Sequence, residues 1–158
     1  TTWPLLRQRP GLDFMVTGSI DGVDLSRLPS CDGVRFTGRV DDVKALIAES
    51  TAVVVPLRVG GGTRLKVLEA MALGTPVVST SKGAEGLALV NGEHLLIADT
   101  PASWTGHVFA LLDEPWLSAR LAGTARAFVA SHYRWTDSAA ALESLLEHAR
   151  SVPTKRAS

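Results

Sequence analysis

Two cations and a carboxylate follow three consecutive glycines in the middle of the chain. Arg64, Lys66 and Glu69 come directly after residues 60–62, which are all glycine. Glycines let a ligand approach the main chain closely, and the unpaired amides and partial positive charge of a helix start attract phosphate. A carboxylate nearby can accept hydrogen bonds from the paired hydroxyls of a sugar. These residue types at this spacing indicate a site for a nucleotide diphosphate.

The flanking residues predict a strand, a glycine turn, a helix and a second strand. Residues 53–55 are three valines, which is typical of a parallel strand covered on both faces. From residue 63 onward the leucines recur with helical spacing, and Gly74 ends that helix before the apolar strand that follows Pro76. The predicted order puts the cations at a helix start, directly after a strand.

A purely structural interpretation of the same residues remains open at this point. A glycine turn between a strand and a helix is often only a turn, and Lys66 and Glu69 have the spacing of an exposed ion pair worth about 0.3 kcal/mol. The run also lacks the Gly-Lys-Ser/Thr ending of a Walker loop and the G-x-G-x-x-G pattern of a dinucleotide fold. Neither of these common phosphate motifs identifies the site.

The run resembles the C-terminal, donor-binding half of retaining GT-B glycosyltransferases of family 4, also called glycosyl transferases group 1. The hallmark of that family is E-x7-E followed by a G-x-P-V-V strand, and Glu69 and residues 74–78 match its second acid and its strand. The first acid falls at Gly61, which has no side chain to contact the donor hexose. The resemblance implies that Glu69 binds the ribose and that the donor diphosphate is bound by Gly61, Gly62, Thr63, Arg64 and Lys66.

The resemblance extends to two further loops. It implies a nucleobase-binding loop at Gly38, Arg39 and Val40, and a loop closing over the donor that contains Gly83, Glu85 and Gly86. It also implies transfer of a hexose from a UDP- or GDP-type sugar with retention of configuration, with no metal and no cofactor. No side chain is assigned as a general base or nucleophile.

Strands that alternate with helices predict an α/β protein with a doubly wound, Rossmann-like parallel sheet. Ligands of such folds lie beyond the carboxyl ends of the strands. We expect a nucleotide-sugar-binding domain over residues 1–135, a C-terminal helix capped by Thr136 over residues 136–151, and a loose tail over residues 152–158. In the related family that last helix crosses to the other domain.

The N-terminal residues resemble the back half of the first helix of the family's donor domain. We therefore expect the sheet to lack its first strand, and the acceptor-binding domain to be absent, so that the chain alone is inactive. Without that strand, the strands near residues 12–18 and 52–57 must pair directly, recruit another chain or leave a gap. Self-association through this sheet edge or the last helix is expected.

Composition fits one α/β domain and argues against some partners. The 158 residues include 16 basic and 16 acidic side chains, so bulk charge gives no support for nucleic-acid binding. No apolar run approaches the roughly 20 residues of a membrane span. Cys31 is the lone cysteine, and the four histidines have no metal-like spacing. We expect a cytoplasmic location. Peripheral attachment of the full-length protein to the inner face of the membrane is an alternative.

Two other functions remain open. A nucleotide-sugar epimerase on the same architecture would need catalytic acids and a histidine around the cleft, which the histidine positions do not favour. A non-catalytic nucleotide-binding or remnant module would show the same fold without turnover. Binding of UDP, GDP and ADP, with Glu69→Ala as a control, separates a donor site from a remnant that binds nothing.

Overall fold

The computed structural model describes residues 2–24 and 33–151. Cys31 and the expected tail over residues 152–158 lie outside the described residues. The elements are α1 Trp3–Leu6, β1 Phe14–Thr17, β2 Val34–Gly38, α2 Val43–Glu49, β3 Val53–Val55, α3 Leu65–Ala72, β4 Val77–Ser79, α4 Ser81–Ala84, β5 Leu96–Ile97, α5 Pro101–Asp113, α6 Pro115–His132 and α7 Trp135–Ser151.

The strands form two separate parallel sheets. The first contains β1 and β2, and the second has the order β3-β4-β5. The Val53 N–H donates to the Pro76 carbonyl on the side of β4. The N–H and C=O groups of the next residue, Val54, therefore point to the edge of β3 that faces away from β4. Within the described residues no strand joins β1 to β3. Direct pairing of these two strands, one of the three outcomes expected for them, therefore does not occur.

The core lies on both faces of β4. Val77 packs in a cluster with residues of α3 and α6, whereas Val78 packs in a second cluster with residues of α5 and α6. Both valines are completely buried. Successive side chains of a strand point to opposite faces, so helices cover the sheet on both sides. This confirms the predicted α/β class with a parallel, doubly covered sheet.

Local capping follows the sequence at two helices and departs from it at a third. Gly74 has φ +81° directly after the last turn of α3, and Thr100 forms a capping box with Ser103 at the start of α5. The cap predicted at Thr136 is wrong, because α7 begins one residue earlier at Trp135 and leaves Thr136 inside the first turn. The exposed Arg134–Asp137 ion pair spans this start.

Helix α7 carries its apolar side chains at the surface. Trp135 and Leu145 are 83% and 67% exposed, and Leu142 and Leu146 are also exposed. Such a stripe at helical spacing is the pattern of a helix that packs against another surface. Helix α6, by contrast, buries Leu121, Ala125 and Val129 on one face.

Candidate functional site

The glycine turn between β3 and α3 is open and exposed. Gly60 and Gly62 have φ values of +130° and +89°, which side-chain-bearing residues rarely adopt. A Cβ atom on Gly61 or Gly62 would meet no neighbour within 4 Å. The backbone conformation at Gly60 and Gly62, rather than lack of space, therefore requires glycine.

The turn leaves a row of backbone donors unpaired. The N–H groups of residues 61–66 have no acceptor in the part of the chain that the structure describes, while the next two, those of Val67 and Leu68, donate to the Arg64 carbonyl. Six successive free donors at the start of an eight-residue helix form an anion-binding arrangement. The expected diphosphate residues thus supply main-chain donors.

Arg64 is buried beneath this turn. Its side chain is 7% exposed, and Nη2 donates to the Gly60 carbonyl at 3.5 Å and to Oε2 of Glu85 at 3.1 Å. Its Nε is buried and has no acceptor among the described residues. Nearly all buried polar groups are hydrogen-bonded, so this orphaned guanidinium N–H is an exception.

Lys66 and Glu69 do not form the ion pair that the structural interpretation would require. Lys66 is exposed and Glu69 is half-buried, and no salt bridge or side-chain hydrogen bond involves either of them within residues 2–24 and 33–151. The Glu69 carboxylate therefore remains available as an acceptor about one turn inside α3.

Two of the predicted donor-loop residues after β4 have different surroundings: Gly83 is buried in the packing, and Glu85 is exposed and charged. Gly83 is buried, and its N–H donates to Thr80 Oγ1 at 2.9 Å rather than remaining free for a ligand. Glu85 is exposed and pairs with Lys82 and Arg64. The Lys82 ammonium, and then the Arg64 guanidinium, lower the pKa of Glu85 below its usual value. Gly86 has φ +82° after it.

The predicted base-binding loop lies at the end of the other sheet. Gly38 has φ +69°, and its carbonyl accepts from the Gly18 N–H at 3.0 Å. Among the described residues, no hydrogen bond or ion pair joins Gly38, Arg39 or Val40 to the glycine turn. Arg64 thus contacts both Gly60 and Glu85, whereas neither the base loop nor Glu69 forms a hydrogen bond or ion pair with these three residues within the described ranges.

Two residues of this region, Thr80 and Lys82, have no individual role in the sequence-based predictions. Lys82 contacts Glu85 three positions later in the chain, and opposite charges at this spacing predict an ion pair on a helix. Thr80 joins the two loops, because its Oγ1 donates to the Leu57 carbonyl and accepts from the Gly83 N–H. Nothing in the sequence predicts the contact of Thr80 with Leu57.

Replacing Thr80 with valine is expected to destabilise the protein by about 1–3 kcal/mol, because the buried Gly83 N–H loses its acceptor. Valine keeps the shape of threonine, so packing is unchanged. Thr80→Ser, which keeps the hydroxyl, should cost less. Urea unfolding of both variants measures the difference, and equal losses would contradict the hydrogen-bonding role.

Metal-ligating and membrane-spanning features do not occur in the described ranges. Residues 2–24 and 33–151 contain no cluster of three or more histidine, cysteine or acidic side chains able to hold a metal ion. No helix formed by those residues combines the length and apolar character needed to span a bilayer.

Parallel strands covered by helices on both faces, with an open turn before α3, define an α/β protein of the GT-B, Rossmann-like glycosyltransferase fold. Residues 1–114 match the family model described as glycosyl transferases group 1. The chain belongs to this family. No curated protein matches the sequence closely enough to count as a relative.

Several solved structures share this fold. Anabaena Alr3699/HepE in complex with UDP and glucose has a TM-score of 0.79 and 18% identity over 93% of this chain and 44% of that chain. Sucrose-phosphate synthase from Thermosynechococcus elongatus has a TM-score of 0.75 and 21% identity over 92% of this chain and 40% of that chain. The C-terminal domain of the group 1 protein LpcC from Francisella tularensis has a TM-score of 0.59 and 21% identity, covering 65% and 55% of the two chains. The chain thus spans less than half the length of the first two structures.

Proposed function

We propose that the chain is the donor-binding domain of a glycosyltransferase that transfers a hexose from a UDP- or GDP-type sugar to an acceptor with retention of configuration. The observation that carries this proposal is the row of unpaired amides over residues 61–66 above the buried Arg64, whose Nε lacks an acceptor. A diphosphate offers the charge and the acceptor oxygens that these donors lack.

The leaving nucleoside diphosphate would be stabilised by fixed charge. The helix start and Arg64 lie where the negative charge of the departing diphosphate develops, and the exposed Lys66 adds a cation in the same turn. Donors held in place before the reaction stabilise such a charge without reorganisation. In this proposal no metal and no side-chain nucleophile takes part.

Glu69 is proposed to accept hydrogen bonds from the ribose hydroxyls. Its carboxylate is half-buried and has no partner within the described ranges, so it can accept both hydroxyls at once. Gly61 replaces the acid that would contact the hexose, so hexose recognition would depend on other groups. Residues 38–40 are proposed to contact the base.

Glu69→Ala tests the ribose assignment by calorimetry with UDP, GDP, ADP and inorganic pyrophosphate. We expect the variant to bind its preferred nucleotide at least about tenfold more weakly, because charged hydrogen bonds contribute about 1.5–3 kcal/mol each. Pyrophosphate affinity should be unchanged, since it has no ribose. Glu49→Ala removes an exposed helical glutamate elsewhere and should change neither affinity.

Two results would count against the proposal. Equal weakening of nucleotide and pyrophosphate in Glu69→Ala would show a general electrostatic effect rather than ribose recognition. Failure of the wild-type chain to bind any of the four ligands would remove the donor site itself.

Acceptor binding is proposed to need a second domain. The edge of β3 opposite β4, which pairs with no strand among the described residues, and the exposed apolar stripe of α7 are the surfaces we propose for that domain or for self-association. Transfer activity by this chain alone is therefore not expected, even where donor binding is retained.

A further inference from the structure

We propose that Glu85 is a built-in counter-ion that competes with the donor diphosphate for Arg64 and Lys82. The inference rests on the proposed function, because it concerns how the same anion site is occupied before the donor arrives. It also makes Lys82 a diphosphate ligand.

The geometry shows two cations meeting at one oxygen. Oε2 of Glu85 lies 3.1 Å from Arg64 Nη2 and 2.5 Å from Lys82 Nζ. The three residues come from two elements, the start of α3 and the short helix α4. A point that attracts one anionic oxygen from both sides is equally suited to a phosphate oxygen.

The partners differ in how firmly they are held. The Arg64 side chain is 7% exposed and keeps its bond to the Gly60 carbonyl if the carboxylate leaves, whereas the Glu85 side chain is 57% exposed. Glu85 also comes at the end of α4, directly before Gly86. The carboxylate can therefore turn to solvent, while the guanidinium stays under the glycine turn.

Charge decides which anion is favoured. One carboxylate against two cations leaves the cluster with a net charge of about +1, so a diphosphate gains more from the site than a singly charged anion does. The Lys82 ammonium and the Arg64 guanidinium keep Glu85 ionised, because both lower its pKa. Glu85 would then weaken the binding of every anion, and only a multiply charged phosphate would displace the carboxylate readily.

The test compares wild type and Glu85→Gln for binding of inorganic pyrophosphate and UDP by calorimetry. Glutamine keeps a carbonyl oxygen that can accept from Arg64, so the substitution removes charge rather than positioning. We expect both ligands to bind about threefold to tenfold more tightly, since a nearby like charge is removed at a partly exposed site. Thermal unfolding checks that the variant is folded.

Glu93→Gln is the matched control. It makes the same change in net charge on an exposed loop residue that contacts neither Arg64 nor Lys82. Its affinity for both ligands should equal that of the wild type. An equal gain in this variant would assign the effect to overall charge and overturn the counter-ion role.

A second comparison tests Lys82 itself. Adding Lys82→Met to Glu85→Gln should weaken pyrophosphate binding about threefold or more relative to Glu85→Gln alone, because the anion loses the Lys82 ammonium. In this background no carboxylate at position 85 competes for Lys82, so the comparison reports only its contact with the anion. An unchanged affinity would remove Lys82 from the anion site.

The outcomes separate this inference from the proposed function. Unchanged or weaker binding by Glu85→Gln, with normal binding by wild type, overturns the counter-ion alone and makes Glu85 a residue that positions Arg64. Absence of pyrophosphate and UDP binding in both proteins overturns the donor site and the counter-ion together.

Discussion

Gly83→Ala is expected to lower the free energy of unfolding by about 3 kcal/mol, at the upper end of the usual cost of overpacking. A Cβ atom at this position would lie well inside contact distance of Ser79 Oγ and 2.9 Å from the Val55 carbonyl oxygen. Ser79 is completely buried, and the carbonyl belongs to a strand, so neither can move aside cheaply. The first turn of α4 would have to shift away from β3 and β4.

Gly123→Ala is expected to raise the free energy of unfolding, the opposite of the effect at Gly83. Gly123 lies inside α6, and a Cβ there meets nothing within 4 Å. Alanine is the better helix former, so we expect a gain of about 0.5–1 kcal/mol. Urea unfolding of the two variants should show effects of opposite sign. Equal effects would contradict the packing role of Gly83.

Arg64→Met is expected to weaken pyrophosphate binding about 100-fold, since two charge-assisted hydrogen bonds at about 1.5 kcal/mol each are lost. The guanidinium is the one buried cation beside the free amides, within the described residues. Calorimetry measures the loss directly. Arg126→Met removes the same charge near Gly74, at the other end of α3, and should leave the affinity unchanged.

The same variant should remain folded. Methionine fills a similar volume and removes the Nε–H that has no acceptor, so the lost bond to Gly60 is partly offset. A melting temperature near that of wild type, together with unchanged pyrophosphate affinity, would show that Arg64 only supports the turn.

Much of the fold follows from local pattern. The valines of β3 and the glycine after α3 are read from spacing and residue type, and the structure has both of them. These features depend on neighbours in sequence. The cap predicted at Thr136 was wrong, because side-chain chemistry alone does not fix which residue begins a helix.

The contacts that shape the candidate site are long-range and could not be read in this way. Arg64 and Glu85 are 21 positions apart, and Thr80 reaches the Leu57 carbonyl across 23 positions. The family resemblance predicts Gly83 in a donor loop, but only the packing of α4 on β3 shows why a glycine is required there. Unpaired amides at the start of this helix, by contrast, are predicted from the sequence, because they follow from the glycine turn and the helix start.

The separation of β1 from β3 has a consequence for how the protein opens. The segment that leads into β1 packs on the remainder through side chains, including Leu6 and Leu12 in the core and the Arg9–Asp113 ion pair, and within the described residues β1 and β2 share no ladder with β3. Side-chain attachment can be lost without breaking any backbone pairing of β4. Strands β1 and β2 are therefore expected to open before β4, and their amides to exchange with solvent before those of the strands that α3 and α6 cover.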